Sequence, residues 1–481
     1  MLSIGCVRAR FAKHIAILIL VDACVSSLGF FFFGYAFGFG DGKDQSPSGA
    51  AMGGAPGLTT MDGNPFVGTH FFALHDMTPM LFASWLFQWS FAATACTIVS
   101  GAIAERAKFE AYICYSFFMA SWVYPVIVHS VWTSTGIFSM SRTTPANLLF
   151  NSGAIDFAGS GAVHMVGGLA AASGCYILGP RIGRYNADGT ANNMPGHNTS
   201  LFILGVMILW FGWYGFNPGS QQMITNGNSM AVSTAAIATT LAAGSGGLSA
   251  LVTRAIVSKV TTGVMVYDVM VMGNGVLAGL VAITAPCAVV WPWAAIIIGL
   301  VAGVIYTFAS IVSIMVRLDD PLDAIAVHAW NGIWGVLSVG LFASRELIFN
   351  SYGISPQTND IRPYGCFMGG GGLLLASQVV YALWIIGWVL GNMIPFWLIL
   401  NALGHFRVPA NVETIGLDDS YHGGSAYPGG PEEETDKSLG GQVAAKNVNG
   451  GGGGGASRAE IDEIKAELAM LKSSVKTQSV A

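Results

Sequence analysis

Apolar residues in this chain gather in long blocks instead of alternating with polar ones. Ten blocks reach the roughly 20 residues that a helix needs to cross a hydrocarbon core. They lie near residues 13–40, 78–103, 109–132, 154–179, 199–218, 229–253, 265–285, 291–316, 322–344 and 372–402. Each block predicts a helix, because backbone polar groups surrounded by lipid must be satisfied inside their own segment. The pattern ends near residue 405. Residues 1–405 therefore predict an all-α, polytopic membrane domain, followed by a polar tail over 406–449 that contains Glu432, Glu433 and Glu434. Gly450 to Gly455 form a flexible Gly linker. In 456–481, Ile461, Ile464, Leu468, Leu471 and Val475 repeat at spacings of three and four, and Ser457 with Glu460 fits a capping box. That pattern suits a short coiled coil or a solitary amphipathic helix.

The loops between blocks carry unequal charge. One alternate set holds Arg8, Arg10, Lys13, Arg106, Lys108, Arg181, Arg184, Arg254, Lys259 and Arg317; the other holds only Lys43, Arg142, Arg345 and Arg362. Lys and Arg accumulate on the cytoplasmic side, so the first set and the C-terminal tail are expected there. The first apolar run continues well past signal-peptide length.

Composition agrees: 53% of the 481 residues are apolar and 10% charged, against about 25% charged in an average soluble domain. Mean hydropathy is +0.58. A net charge of -5 leaves no basic footprint for a nucleic-acid partner. The seven cysteines show no paired ligand spacing and read as small buried hydrophobes, so no metal site or disulfide framework is expected. No nucleophile, nucleotide loop or cofactor motif stands in a credible context, which argues against an enzyme.

Ionisable side chains inside a membrane span are costly and usually line a path or a site. Asp156 and His164 fall in one span, Asp323 and His328 in another. Eight residues separate Asp156 from His164, which allows both to face one side of a helix. Asp156 reads either as a helix-end cap or as a carboxylate beside a cation path, whereas Asp323 is better read as a cap. Two histidines in separate spans, each following an acidic residue, favour a shared polar path. Structural roles suit Asp22 and His129, and Asp268 at a span start is expected to cap.

The ordered motifs GAIAER (101–106), VYPVIVHSVW (123–132), DFAGSGAVHMVGG (156–168), WFGWYGFNPGS (210–220), DDPLD (319–323), FMGGGG (367–372) and GLDDSYHGG (416–424) resemble the ammonium transporters of the Amt/Mep/Rh family, in its plant and algal branch. The resemblance implies eleven spans, the first ten forming inverted five-helix repeats, in a homotrimer with one pore per subunit. Here MLSIGCVRARF resembles only the inner end of the first span. The reading is thus ten full spans plus a truncated first span, and the recorded sequence is expected to be incomplete. Ala329-Trp330 follow His328 where many relatives carry small glycines, which predicts altered packing beside the pore.

By the same resemblance Trp132, Ser220 and Phe91 bind ammonium at an outer site, through cation–π contact and hydrogen bonding. Phe91 and Phe216 gate the pore, with Phe87, Trp213 and Asp156 in support, and His164 with His328 forms a pore pair. Ammonium would leave its proton near the rings, ammonia would cross an apolar tube, and the proton would pass through the histidines. Ser420 stands where relatives carry a phosphorylatable Thr. The expected partners are ammonium or ammonia, protons and the lipid bilayer, and the expected location is the plasma membrane. Two alternatives stay open: a Rh-like channel for neutral ammonia, and a membrane-bound ammonium sensor that transports little.

Overall fold

In the computed structural model, residues 1–40, 63–142, 148–352 and 362–427 are described. The Gly linker and the C-terminal coiled coil fall outside them. Among the described residues of the unit Met1–Ala426, nine helical segments are long and apolar enough to cross a membrane. They are α1 (Ala9–Phe39), α2 (Pro79–Ala102), α3 (Phe109–Trp132), α4 (Ser160–Leu178), α5 (Thr199–Gln221), α6 (Ser229–Thr262), α8 (Pro292–Met315), α9 (Ile325–Phe342) and α10 (Leu373–Ala402). Between α6 and α8 lies α7 (Val269–Thr284), with only 16 residues. All ten apolar blocks thus contain a helix, and no strand occurs among the described residues.

Two boundaries differ most from the pattern. Helix α4 begins at Ser160 rather than 154, because the chain from Asp156 to Gly159 folds back to close the helix end. Helix α6 continues nine residues past 253, carrying Arg254 and Lys259 with it. Polar residues at a helix end need not stop the helix; they mark where it leaves lipid. Short α7 is nearly enclosed, with every residue from Gly273 to Thr284 buried, so protein rather than lipid surrounds it.

Small residues let the helices approach closely, as van der Waals packing in a membrane requires. Ala242, Ala243 and Gly246 of α6 meet Gly279, Gly299 and Gly303 of α7 and α8. Where α4 and α9 meet, a Cβ on Gly168 would stand 2.3 Å from the Ala329 amide nitrogen, and one on Gly332 2.7 Å from the Ser160 carbonyl oxygen. Only glycine fits at these points. Trp330 is 48% exposed. The near approach beside the histidines is made by Ala329 against Gly168, while the Trp330 side chain stays half-exposed.

Charged residues from separate loops converge at one end. Arg8 Nε donates to Glu105 Oε2 at 2.8 Å, and Arg181 Nη1 lies 3.1 Å from the same oxygen. Arg181 also donates through Nε and Nη2 to Asp319, at 2.8 and 2.9 Å. Burial opposes ionisation of Asp319, but these bonds and the Arg181 charge outweigh it and hold its pKa down at about 2. Glu105 is likewise held below the usual carboxylate range: its burial is outweighed by Arg181 and Arg8. The GAIAER and DDPLD motifs therefore meet through Arg181. The tail docks at this basic end as well. Asp418 accepts the backbone N–H groups of Lys13 and His14 at 2.9 Å each, closing the start of α1 from more than 400 positions away. His14 Nδ1 and His422 Nε2 lie 2.9 Å apart, and Lys13 Nζ donates to the Gly424 carbonyl at 2.7 Å.

Candidate functional site

Both histidines stand on the first turns of α4 and α9, which are wound as π-helix over Ser160–Met165 and Ile325–Trp330. Such wide turns frequently occur at functional sites. Each is preceded by an aspartate that closes the helix end. Asp156 Oδ1 accepts from the Gly159 N–H at 3.1 Å; its Oδ2 accepts from Gly161 N–H at 3.1 Å, Ala162 N–H at 2.8 Å and the Tyr381 hydroxyl at 3.1 Å. Gly159 permits the fold-back with φ +100°. Asp156 thus lies before the helix instead of sharing a helical face with His164.

In the second segment the capping carboxylate is Asp320, which accepts from the Ile325 N–H at 2.7 Å. Asp323 does not cap. It accepts instead from the Tyr306 hydroxyl at 2.9 Å and the Ser310 hydroxyl at 3.0 Å, tying α9 to α8. Asp320 was missed by the sequence reading, although it precedes His328 by the same eight residues that separate Asp156 from His164. Asp268 accepts from Met270 and Val271 N–H groups at the start of α7. Asp22 accepts from the Ser116 hydroxyl at 2.6 Å. His129 has a ring nitrogen 3.2 Å from the Gly38 carbonyl and another 2.8 Å from that of Asn64.

Rings run in series between the two ends. Trp132 and Phe91 stand at right angles with centroids 5.6 Å apart; Phe91 packs on Phe216 at 4.1 Å, Phe216 on His164 at 5.6 Å, and His164 on His328 at 5.2 Å. Phe87 flanks Phe91 at 4.8 Å, and Trp213 lies nearly parallel to His164 at 5.3 Å. The Nδ1 atoms of His164 and His328 are 3.2 Å apart. His164 Nε2 is buried with no hydrogen-bond partner among the described residues.

Two cavities flank this series. One of about 50 Å³, toward the end opposite the basic cluster, is lined by Phe87, Gln88, Phe91, Trp132, Asp156 and Ser220 among others. The other, about 320 Å³, is lined by His164, His328, Trp213, Asn274 and apolar side chains such as Leu277. They share no lining residue, and the Phe91–Phe216 pair joins the first to the histidines. In the first cavity the Trp132 Nε1–H is engaged by the Asp156 carbonyl at 2.6 Å, so the indole offers its face. The Ser220 hydroxyl donates to the Phe216 carbonyl at 2.7 Å, which leaves Oγ lone pairs as acceptors. Gln88, unremarked in the sequence reading, also lines this cavity; it was visible only as a single amide side chain one turn before Phe91. Ser420, by contrast, is at the other end, exposed in the docked tail and donating to the Gly416 carbonyl at 2.8 Å.

Comparison with known proteins agrees with this architecture. A family model described as Ammonium Transporter Family matches residues 1–427. The chain is 42% identical to ammonium transporter 1 member 3 of Solanum lycopersicum over 450 residues, which cover 92% of this chain and 91% of that one. It is 43% identical to ammonium transporter 1 member 1 of Oryza sativa subsp. japonica, covering 91% and 84%. Among solved structures it is similar to a sensor Amt protein, with a TM-score of 0.70 and 32% identity over 87% of this chain and 92% of that one. It is also similar to Candida albicans Mep2, with a TM-score of 0.67 and 25% identity over 85% and 83%. The chain belongs to the ammonium transporter family and is a multi-pass membrane transporter rather than an enzyme.

Proposed function

We propose that this chain carries ammonium across the plasma membrane by separating it into ammonia and a proton within the ring series. The observation that carries this reading is the 3.2 Å contact between His164 and His328, lying behind the packed Phe91 and Phe216 rings. Ammonium is captured in the outer cavity by the Trp132 face, the Phe91 ring and Ser220 Oγ. It cannot cross the apolar stretch as an ion, because a charge removed from water with no compensating partner meets a large desolvation cost. Its proton passes to the imidazole pair, and ammonia moves through the inner cavity. Potassium has no proton to surrender, so it is refused on chemistry as well as on size.

The basic end is cytoplasmic in this reading, in keeping with the excess of Lys and Arg there, and three copies assemble with one pore each. Trp213 and Phe87 support the rings, and Asp156 fixes the turn that carries His164. Phosphate on Ser420 would add negative charge beside Asp418 and Asp419 and release the docked tail.

A second reading, a sensor with little transport, draws support from the likeness to a sensor Amt protein. Expression in cells lacking their own ammonium carriers separates the readings. Methylammonium uptake with an ammonium-evoked inward current supports the proposal. Uptake without current indicates a neutral ammonia path, and tail rearrangement without uptake indicates a sensor.

A further inference from the structure

Gln88 stands apart from the other polar groups of the outer cavity because its acceptor is unused. The side chain is 2% exposed and its Oε1 has no hydrogen-bond partner among the described residues. Buried polar atoms are nearly always paired, so an orphan on a residue that lines a ligand-sized cavity points to a missing partner. Its neighbours are already committed. The Asp156 carboxylate is spent on three backbone N–H groups and the Tyr381 hydroxyl, and the Trp132 N–H on the Asp156 carbonyl. Of the oxygens discussed there, Ser220 Oγ and Gln88 Oε1 keep lone pairs for a ligand.

We infer that Gln88 Oε1 accepts an N–H of the incoming ammonium ion, making Gln88 a binding residue of the outer site together with Ser220. This rests on the transport reading above and adds a residue to it. Gln88 shares α2 with Phe87 and Phe91, and all three line the cavity. A space of about 50 Å³ holds one small, largely dehydrated ion. A neutral carbonyl suits a transit site, since it replaces water of hydration without fixing the cation as a carboxylate would.

The test compares Gln88→Met, close in size but lacking the amide acceptor, with Gln88→Glu, which keeps an acceptor at the same reach. Ammonium-evoked current and methylammonium uptake are measured at matched surface abundance. The inference expects Gln88→Met to raise the half-saturating ammonium concentration about tenfold with the maximal rate nearly kept. Gln88→Glu should lower both the half-saturating concentration and the maximal rate. Unchanged half-saturation in Gln88→Met, or a loss of maximal rate alone, overturns it. Protection of the purified protein from heat by ammonium chloride provides a binding arm. If wild type is protected but moves no ammonium, the transport reading falls, while weaker protection of Gln88→Met upholds the inference. If Gln88→Met is protected as well as wild type, or wild type shows neither protection nor transport, the inference falls.

Discussion

His164 and His328 face each other through the same ring atom, Nδ1, at 3.2 Å. Two like nitrogens at this distance form one hydrogen bond only if one carries a proton and the other does not. One Nδ1 therefore donates and the other accepts, so the two imidazoles form one hydrogen-bonded unit.

Groups that act as a unit lose function non-additively. His164→Ala and His328→Ala are each expected to reduce the ammonium-evoked current nearly as far as the double variant does. Current normalised to surface abundance checks this. Losses that multiply across the two sites would mean independent roles.

Asp156 accepts four hydrogen bonds while fully enclosed, three of them from the turn that leads into His164. Asp156→Ala leaves those N–H groups buried and unsatisfied, at a cost of roughly 3 kcal/mol or more. The purified variant should melt at lower temperature and carry little current, and Asp156→Asn should lose less. An Asp156→Ala protein as heat-stable as wild type would contradict the capping role.

The Asp319–Arg181 contact gives a pH dependence of known sign. A carboxylate whose pKa lies lower in the folded state stabilises the fold above its unfolded value, and the contribution fades as pH falls through the folded value. With Asp319 held at about 2 against an ordinary 3.8, this is worth about 2 kcal/mol. It is present in full above about pH 5 and lost toward pH 2. Thermal stability in detergent, scanned from pH 7 to pH 2, should decline less over its acidic limb in Asp319→Asn, which begins from a lower plateau. Parallel acid limbs in the two proteins would count against it.

Ser420 lies two residues from Asp418, whose carboxylate closes the start of α1. Ser420→Asp should loosen the tail, seen as faster proteolysis between 405 and 427, and should cut uptake severalfold, whereas Ser420→Ala should remain near wild type. Unaltered uptake in Ser420→Asp would leave Ser420 an ordinary polar position in the loop.

Much of this was legible in the chain itself. Each of the ten apolar blocks contains a helix, because lipid allows few ways to bury a backbone. The histidines, the stacked rings and Trp132 were singled out by residue type and motif, and the fold brings them into one line. Less legible was anything set by local winding. Helical periodicity placed Asp156 and His164 on one face, but a glycine at positive φ and a π-turn make the aspartate a cap instead. Asp323 looked like the cap of α9 because it lies closer to the helix, yet the equal eight-residue spacing pointed to Asp320. The join of Glu105, Arg181 and Asp319 needed three loops that sequence does not bring together. Gln88 left almost no signal, since one amide in an apolar run looks like an ordinary helix residue until its acceptor is found unpaired.

The central claim is that the imidazole pair carries the proton taken from ammonium. Its most direct test is the ammonium-evoked current under voltage clamp, with labelled methylammonium uptake recorded in the same cells, for wild type and for the His164→Leu, His328→Leu double variant. The account predicts charge movement with uptake in wild type. In the double variant it predicts either loss of the proton-coupled current or a current that potassium also carries. An unchanged current that still excludes potassium would contradict it.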